Sequence, residues 1–282
     1  MQYTIQNGNI TVCVDKLGAE VVSVKKNGRE YLWQNQTGEW TGRAPLLFPV
    51  CGRLKLIKDG TVYPIKSHGF ARNLEFEVTA QSEDSISLTL QANEYTREVY
   101  PYEFSFTVTY TLKGDRLTIA YTVENPASTP LHFACGGHDA FALENDIGDY
   151  ELVFEPKASL VHYYHADDGD LTGETKDFGE VEVLPLPEDM LQDSATVIFK
   201  GVTSKAVTLR EKGGKDIVKV GFEEYEHLLL WRKMSAKYIC IEPWTNLPDF
   251  IGAPDQEFSQ KDGVIEVAPN GKKVLTRVVE FL

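Results

Sequence analysis

The sequence lacks several features that would assign it to common protein classes. No run of about 18 uncharged apolar residues occurs along its 282 residues, so we expect no transmembrane helix. The first eight residues have neither a basic start nor an apolar stretch, so we expect no secretory signal. The four cysteines form no Cys-x-x-Cys pair, which favours reduced, mostly buried thiols in a cytoplasmic protein.

Basic residues are also scarce. Lys and Arg number 28 against 42 Asp and Glu, which gives a formal net charge of −14. A chain this acidic has no electrostatic attraction for nucleic acid or for an anionic membrane, so neither is expected as a partner. The composition, with 42% hydrophobic and 25% charged residues, is instead typical of a folded globular protein.

Apolar and polar residues alternate with period two from end to end, which is the pattern of half-buried strands. The clearest runs are 104–112 and 117–123, and the Gly-containing four-residue loop 113–116 between them predicts a hairpin. Many short strands separated by Asn-Gly and Asp-Gly turns predict an all-β sandwich or barrel. No linker or repeat divides the chain, so we expect one domain over residues 1–282.

Helical periodicity is limited to two short candidates, 91–100 and 188–192. The polar, acidic stretch 167–188 lacks a clear pattern, and about 20 residues of this kind predict a long surface loop.

Four segments interrupt the alternation with residues that a strand would not choose for packing. They are Pro49-Val-Cys-Gly-Arg-Leu54, Ser67-His-Gly-Phe-Ala-Arg-Asn73, Cys135-Gly-Gly-His-Asp-Ala-Phe141 and Tyr238-Ile-Cys-Ile-Glu-Pro-Trp244. In the first, Arg53 follows a glycine, where its guanidinium can bind hydroxyls, carboxylates or phosphates; a plain surface arginine is the alternative. In the second, His68 lies beside a glycine and can titrate near neutrality; a satisfied structural histidine is the alternative.

The third and fourth segments supply a candidate acid–base pair. His138 follows two glycines, which allow a ligand to approach the backbone closely. Glu242 ends an apolar strand beside Trp244, where partial desolvation raises the pKa of a carboxyl and makes it a usable base; an ion-paired strand end is the alternative. Trp231 and the other tryptophans stack on a sugar ring or fill the core.

Other catalytic motifs are missing from the sequence. It contains no nucleophile elbow, P-loop or His-Glu-x-x-His. His162 and His165 are three residues apart, so we expect packing or loop residues there and not a metal site. A histidine, a glutamate and an arginine without a metal-ligand set or a covalent nucleophile suit proton transfer on a neutral polar small molecule.

The order of these motifs resembles the aldose 1-epimerase (galactose mutarotase-like) family, and most closely its LacX-type bacterial branch. The resemblance covers the whole chain, and it rests on Phe48-Pro-Val-Cys-Gly-Arg53, His68-Gly-Phe-Ala-Arg72, Gly137-His-Asp-Ala-Phe141 and Glu242-Pro-Trp244. It implies a large antiparallel β-sandwich, the supersandwich of this family, with a sugar site in a groove on one sheet. A monomer or a homodimer is expected.

The resemblance also implies residue roles. Glu242 and His138 match the catalytic residues: the Glu242 carboxylate takes the proton of the anomeric O1 hydroxyl, and protonated His138 delivers a proton to the ring oxygen. The ring then opens, rotates and recloses as the other anomer, with no cofactor and no metal, because only protons move. The resemblance implies Arg53, His68 and Asp193 as substrate-binding residues, and Trp231 joins them as a candidate for stacking on the sugar ring.

Two departures from the family pattern leave the substrate open. Galactose-type members have Asn before the binding arginine and His-Pro-Tyr-Phe around the catalytic histidine, where this chain has Gly52-Arg53 and His138-Asp-Ala-Phe141. His68-Gly-Phe-Ala-Arg72 resembles the hexose-6-phosphate branch, in which an arginine at the position of Arg72 helps to bind phosphate. The expected function is therefore mutarotation of a hexose, with a hexose 6-phosphate 1-epimerase or a non-catalytic carbohydrate-binding protein as the alternatives.

Overall fold

The alternating runs of the sequence form strands throughout the chain. The computed structural model describes residues 1–8, 10–194, 196–233 and 236–282, with the side chains of 192–194 left undescribed. Within these residues the strands are β1 (Gln2–Asn7), β2 (Ile10–Asp15), β3 (Val21–Lys26), β4 (Arg29–Glu30), β5 (Leu46–Leu47), β6 (Leu56–Lys58), β7 (Thr61–Tyr63), β8 (Glu77–Gln81), β9 (Ser85–Gln91), β10 (Ser105–Lys113), β11 (Arg116–Glu124), β12 (Leu131–Phe133), β13 (Gly136–Gly137), β14 (Asp139–Ala142), β15 (Tyr150–His165), β16 (Leu171–Pro185), β17 (Val197–Phe199), β18 (Ala206–Glu211), β19 (Asp216–Gly221), β20 (His227–Trp231), β21 (Tyr238–Trp244), β22 (Ile265–Val267) and β23 (Lys272–Phe281). The helical segments are α1 (Glu94–Val99) and the 3₁₀ turns Ala71–Asn73, Ile147–Asp149, Glu188–Ser194 and Phe258–Gln260.

Most strands belong to one large antiparallel sheet. Its order is β5-β13-β21-β20-β17-β15-β18-β19-β23-β11-β10-β9-β8, with β14 paired to β21 and β16 paired to β15. Strands β1 to β4 form a second, four-stranded sheet, and the hairpin β6-β7 and the pair β12-β22 are separate. The all-β prediction is confirmed.

The large sheet folds back on itself, so its two ends enclose a common core. Phe48, directly after β5, stacks on Phe106 of β10 with ring centroids 4.2 Å apart, although the two strands lie far apart in the sheet order. Inward residues of the four-stranded sheet, such as Val12 and Val14, join the same cluster. The result is a β-sandwich whose layers share one apolar interior.

The predicted hairpin is present but tighter than the sequence suggested. Lys113 pairs with Arg116, so the loop has two residues, Gly114 and Asp115, instead of four. Along β10 every second side chain is buried, from Phe106 to Leu112. The two helical candidates also form, as α1 and as the 3₁₀ turn Glu188–Ser194.

The surface loop predicted for 167–188 is wrong, because most of that stretch is strand β16. Strand β16 pairs with the long strand β15 along one edge, and most of its side chains are exposed. A strand that is exposed on both faces shows no apolar alternation, so its sequence reads as loop. Its acidic residues suit an exposed edge, since they oppose pairing with another chain.

The helices in the described part of the chain are short. None of them combines the length and the apolar character that a bilayer span needs.

Candidate active site

Two neighbouring strands bring the candidate acid–base pair together. Strand β21 pairs with β13 and β14 in one register, in which Gly136 faces Trp244 and Asp139 faces Ile241. His138 lies between these pairs, so it stands opposite Glu242 and both side chains leave the same face of the sheet. Their Nε2 and Oε1 atoms are 3.3 Å apart. Two residues that are distant in sequence therefore converge, as the sequence analysis requires.

Both members of this pair are withdrawn from water. His138 is 7% exposed and Glu242 is 1% exposed. Burial, assisted by the nearby positive charge of Arg72, lowers the pKa of His138 from its ordinary value of 6.5 to about 3. Burial also raises the pKa of Glu242 well above its ordinary value. Without a polar ligand, burial therefore favours the neutral forms of both groups, with the proton of the pair on Glu242.

Each member of the pair also keeps one polar atom free. His138 Nδ1 and Glu242 Oε2 are buried and make no hydrogen bond of normal geometry among the described residues. The indole N–H of Trp244, which is likewise unsatisfied, is the group beside the Glu242 carboxyl, and it partly opposes the rise in its pKa. Unsatisfied buried polar groups are costly unless a ligand or water completes them. The two atoms therefore mark the pair as incomplete without a polar ligand.

The pair lies in the wall of a cavity of about 370 Å³. The residues lining this cavity are Trp40, Gly52, Arg53, Ser67, His68, Arg72, His138, His165, Asp167, Asp168, Gly169, Thr196, Ile198, Leu229, Trp231, Glu242, Trp244 and Pro248. A larger groove of about 710 Å³ shares Trp40 and Arg72 with it but contains neither His138 nor Glu242. We assign the site to the smaller cavity, because groups with strongly shifted pKa values concentrate at functional sites.

His68 reaches the cavity from a strained turn. Its φ is +64°, in the left-handed region, and the next residue, Gly69, also has a positive φ. Its Nδ1 accepts a hydrogen bond from the Gly52 N–H at 3.1 Å, so the neutral ring carries its proton on Nε2. Burial lowers the pKa of His68 well below its ordinary value, and the neighbouring His138 adds to the effect. His68 is therefore a neutral hydrogen-bond donor.

Tryptophan rings line the other side of the pair. The centroids of Trp40 and Trp231 lie 5.2 and 5.5 Å from the His138 imidazole, and the two indoles meet edge to face. Trp231 was chosen from the sequence as a substrate-binding candidate, whereas Trp40 was considered only as one of four tryptophans that stack on a sugar or fill the core. Trp40 lies outside the strands, next to Thr41 and Gly42, and an aromatic residue in such a segment was the available signal.

The two candidate arginines have different surroundings. Arg53 lies at the rim, half exposed, where Nη1 is 2.7 Å from Asp168 Oδ2 and Nε is 3.6 Å from Asp170 Oδ1. Arg72 is less exposed, and its Nη2 donates to the Ser67 carbonyl at 3.3 Å. No carboxylate among the described residues lies within ion-pair distance of Arg72. Burial lowers its pKa, against the opposing effect of Glu242 and Glu20.

His165 lines the cavity, although the sequence analysis placed it among packing or loop residues. Its Nδ1 is 2.8 Å from the Ala166 carbonyl, and its Nε2 accepts a hydrogen bond from the Thr196 N–H. Both ring nitrogens are occupied by backbone groups, so His165 fixes the cavity wall and has no free nitrogen for a ligand. His162, three residues earlier in the sequence, is buried, and its Nδ1 accepts a hydrogen bond from the Ile198 N–H.

Asp193 belongs to the 3₁₀ turn Glu188–Ser194, but its side chain lies outside the described residues. Its predicted contact with sugar hydroxyls stays a prediction.

One group of side chains has the donor atoms for a metal ion. His138, Cys240 and Glu242 each offer one ligand atom, and these atoms lie within 4.8 Å of one another. Among the described residues this is the one such group, and it includes both members of the acid–base pair. The sequence-based expectation of no metal and no cofactor stays a prediction.

Comparisons with known proteins agree on one family. The sequence model of a family described as aldose 1-epimerase matches residues 1–274. The plasmid and chromosomal LacX proteins of Lactococcus lactis subsp. lactis are each 28% identical to the chain, over 98% of its length and 95% of theirs.

Solved structures extend this similarity to the fold. The structure of a galactose mutarotase related enzyme from Lactobacillus acidophilus superposes with a TM-score of 0.91 at 30% identity, covering 100% of this chain and 97% of that one. A galactose mutarotase-like protein from Lactobacillus casei gives 0.91 at 28% identity, with both chains fully covered. The predicted large antiparallel β-sandwich of the galactose mutarotase-like type is confirmed.

Proposed function

The chain belongs to the aldose 1-epimerase family, and from this premise we propose that it interconverts the α and β anomers of a free hexose. The family supports a carbohydrate epimerase. The observation that carries the proposal is the contact between His138 Nε2 and Glu242 Oε1 in a cavity wall, with opposite pKa shifts on the two groups. Such a pair can hold one proton on either member, as acid–base catalysis of mutarotation requires.

The geometry of the hemiacetal explains why the two groups must be neighbours. The O1 hydroxyl and the ring oxygen O5 are both bonded to C1, so the group that accepts a proton from O1 and the group that donates to O5 act side by side. With the shared proton on His138, Glu242 accepts the O1 proton while His138 donates to O5. The C1–O5 bond breaks, C1 becomes an aldehyde carbon, and the proton of the pair now lies on Glu242.

Rotation about the C1–C2 bond then presents the other face of the aldehyde. O5 attacks C1, His138 accepts the O5 proton, and Glu242 returns a proton to O1. The pair ends in its starting state, so no proton is consumed and the step itself needs no cofactor. The unliganded site favours the proton on Glu242, which is the state that follows ring opening. We infer that sugar hydroxyls stabilise the ion-pair form when the cyclic sugar binds.

The other cavity residues suit a sugar. The Nε2–H of His68 is a neutral donor for a ring or hydroxyl oxygen, and the faces of Trp40 and Trp231 suit the apolar C–H groups of a pyranose. Arg53 is placed to donate to hydroxyls at the rim. Asp168 and Asp170 beside it oppose the entry of an anionic group, which favours a free hexose over a phosphorylated one.

A hexose 6-phosphate is the second candidate substrate, because Arg72 has no carboxylate partner in the described part of the chain. If Arg72 binds a phosphate, Arg72→Ala weakens kcat/KM for glucose 6-phosphate far more than for glucose. Equal losses for both sugars would remove this candidate.

The cellular setting of the proposed reaction is the cytoplasm. The free thiols support this, since Cys51, Cys135 and Cys240 are buried and unpaired with one another. One sugar and one chain suffice for the proposed chemistry; a monomer or a homodimer stays a prediction.

Polarimetry on freshly dissolved sugars tests the proposal. We expect the protein to accelerate mutarotation of α-glucose or α-galactose above the buffer rate, and glucose 6-phosphate to respond less. Acceleration of glucose 6-phosphate alone would favour the second candidate. If no sugar responds while one still binds, as followed by tryptophan fluorescence, the protein is a non-catalytic carbohydrate-binding protein and the proposal is wrong.

A further inference from the structure

Asp139 follows His138 directly, but its side chain points away from the cavity. It faces Ile241 across β14 and β21, so it lies on the sheet face opposite to His138 and Glu242. The residue is 4% exposed. A carboxylate buried on the core face of a sheet requires a charged or hydrogen-bonding partner.

Arg277 on β23 is that partner. Its Nη2 donates to Asp139 Oδ1 at 3.0 Å and its Nη1 donates to Oδ2, so the contact is bidentate. Its Nε and Nη2 also donate to the Tyr121 hydroxyl at 3.4 and 3.3 Å. Arg277 is 1% exposed. A bidentate contact between two buried groups fixes their orientation as well as their separation.

The same guanidinium lies against the residue that precedes His138. A Cβ placed on Gly137 would lie 2.6 Å from Arg277 Cζ and 2.7 Å from Nε, which is too close for any side chain. Arg277 therefore contacts the residues on both sides of His138, Gly137 through its backbone and Asp139 through its carboxylate. Arg277 therefore contacts the backbone next to His138 on the sheet face opposite the cavity.

The charge of Asp139 also reaches the cavity face. Burial is the main cause of the raised pKa of Glu242, and the negative charge of Asp139 raises that pKa further. A change at Asp139 should therefore alter the pH dependence of the pair as well as its geometry.

We propose that Arg277 is a positioning residue for the acid–base pair. By holding Gly137 and Asp139 it fixes the imidazole of His138 at the distance from Glu242 that proton transfer needs. This inference rests on the proposed mutarotation. It assigns a function to an ion pair that lies entirely outside the cavity lining.

The first test compares Arg277→Lys with Arg210→Lys. Lysine keeps the positive charge but loses the planar fork. The control, Arg210, donates from Nε and Nη2 to Glu151 in the same sheet, away from the cavity. We expect kcat of Arg277→Lys to fall roughly 10²-fold, since misplacement of a catalytic group by about 1 Å costs about that much. KM and the control variant should change little.

If Arg277→Lys does not fold, a second test uses Asp139→Asn, because this substitution preserves the shape of the side chain. Removal of the negative charge lowers the pKa of Glu242, so both limbs of the pH–rate curve should move to lower pH. A purely structural role predicts a lower yield of folded protein with unchanged limbs.

The failure of this inference is distinguishable from the failure of the proposed function. An inactive wild type contradicts the mutarotation proposal. In that case the ¹H–¹⁵N NMR signal of the His138 imidazole tests, without any activity, whether Arg277 positions this ring. That signal should shift in Arg277→Lys and stay unchanged in Arg210→Lys. A folded Arg277→Lys with wild-type kcat, or with an unshifted His138 signal where the wild type is inactive, would overturn the positioning proposal.

Discussion

The sheet around His138 has a buried ionisable pair on each face, His138 with Glu242 on one and Asp139 with Arg277 of β23 on the other. The two pairs differ in how completely their polar atoms are hydrogen-bonded. On the cavity face, His138 and Glu242 are in contact through one atom each, and each retains a buried polar atom that makes no hydrogen bond within the described part of the chain. On the core face, Asp139 and Arg277 share a bidentate contact that the Tyr121 hydroxyl completes. The His138–Glu242 pair can therefore still bind a polar ligand, whereas the polar atoms of the Asp139–Arg277 pair are already hydrogen-bonded to one another and to Tyr121.

The difference shows what each pair contributes. Removal of one partner from a fully hydrogen-bonded buried ion pair strongly destabilises the folded protein, because the remaining charge is buried without a counter-charge. An incompletely bonded pair in a cavity contributes little to stability, and its shifted pKa values instead make it reactive. We therefore expect substitutions on the cavity face to reduce activity and substitutions on the core face to reduce stability as well.

The largest expected effect is on the cavity face. Glu242→Gln keeps the shape of the site but removes the carboxylate that shares a proton with His138 and accepts the O1 proton. Turnover should therefore fall by roughly 10²–10⁴-fold, the usual contribution of a positioned acid or base. Thermal unfolding should be unchanged or shifted upward, since a desolvated ionisable group is removed. Polarimetry and calorimetry check the two parts, and near-normal turnover would refute the assignment of Glu242.

The matching change on the core face is Arg277→Met. It leaves the carboxylate of Asp139 buried without a cation and should lower the free energy of unfolding by about 3–5 kcal/mol. Urea denaturation measures this loss. A loss no larger than that of Glu242→Gln would remove the contrast between the two faces.

A smaller effect on stability is expected at Gly137, where the guanidinium of Arg277 lies against the backbone. Gly137→Ala places a methyl group against the guanidinium of Arg277 and should cost about 1–3 kcal/mol, the usual range for overpacking. Gly148→Ala is the matched control, because no atom of the described residues lies within 4 Å of a Cβ at that position. Equal stabilities of the two variants would contradict the close contact at Gly137.

The smallest effect concerns a buried histidine outside the site. Burial lowers the pKa of His227 to about 4, so the unfolded chain takes up its proton near pH 6.5 while the folded chain does not. The stability due to this histidine is present above that pH and is lost as the pH falls. Between pH 7 and pH 5.5 the wild type should lose about 1 kcal/mol more than His227→Gln, as measured by denaturation at both values. Parallel losses in the two proteins would contradict the lowered pKa.

The sequence predicts the parts of this molecule in which local pattern and burial coincide. The alternation of β10 and β11 follows directly from their one-sided burial. The glycines before His138 were expected to admit a ligand, which stays a prediction; in the structure the side chains of Trp244 and Arg277 lie against them. The long strand β16 was missed, because a strand exposed along an edge has no reason to alternate.

The core pair was also missed, for a different reason. Asp139 and Arg277 meet only after the sheet folds back on itself, and nothing local specifies that contact. One signal was available: Arg277 occupies an inward position between Leu275 and Val279 in an alternating run, where a charge must find a buried partner. The surroundings of Arg53 and Arg72 likewise depend on residues far along the chain.

The pH dependence of mutarotation tests the central claim most directly, because that claim is a single proton shared by His138 and Glu242. We expect the enzyme-catalysed rate of anomer exchange, measured by polarimetry with the buffer rate subtracted, to follow a bell-shaped curve. Activity should fall at low pH when the pair takes a second proton and at high pH when it loses its only one. A catalysed rate that is independent of pH on both sides of neutrality would contradict the shared-proton mechanism.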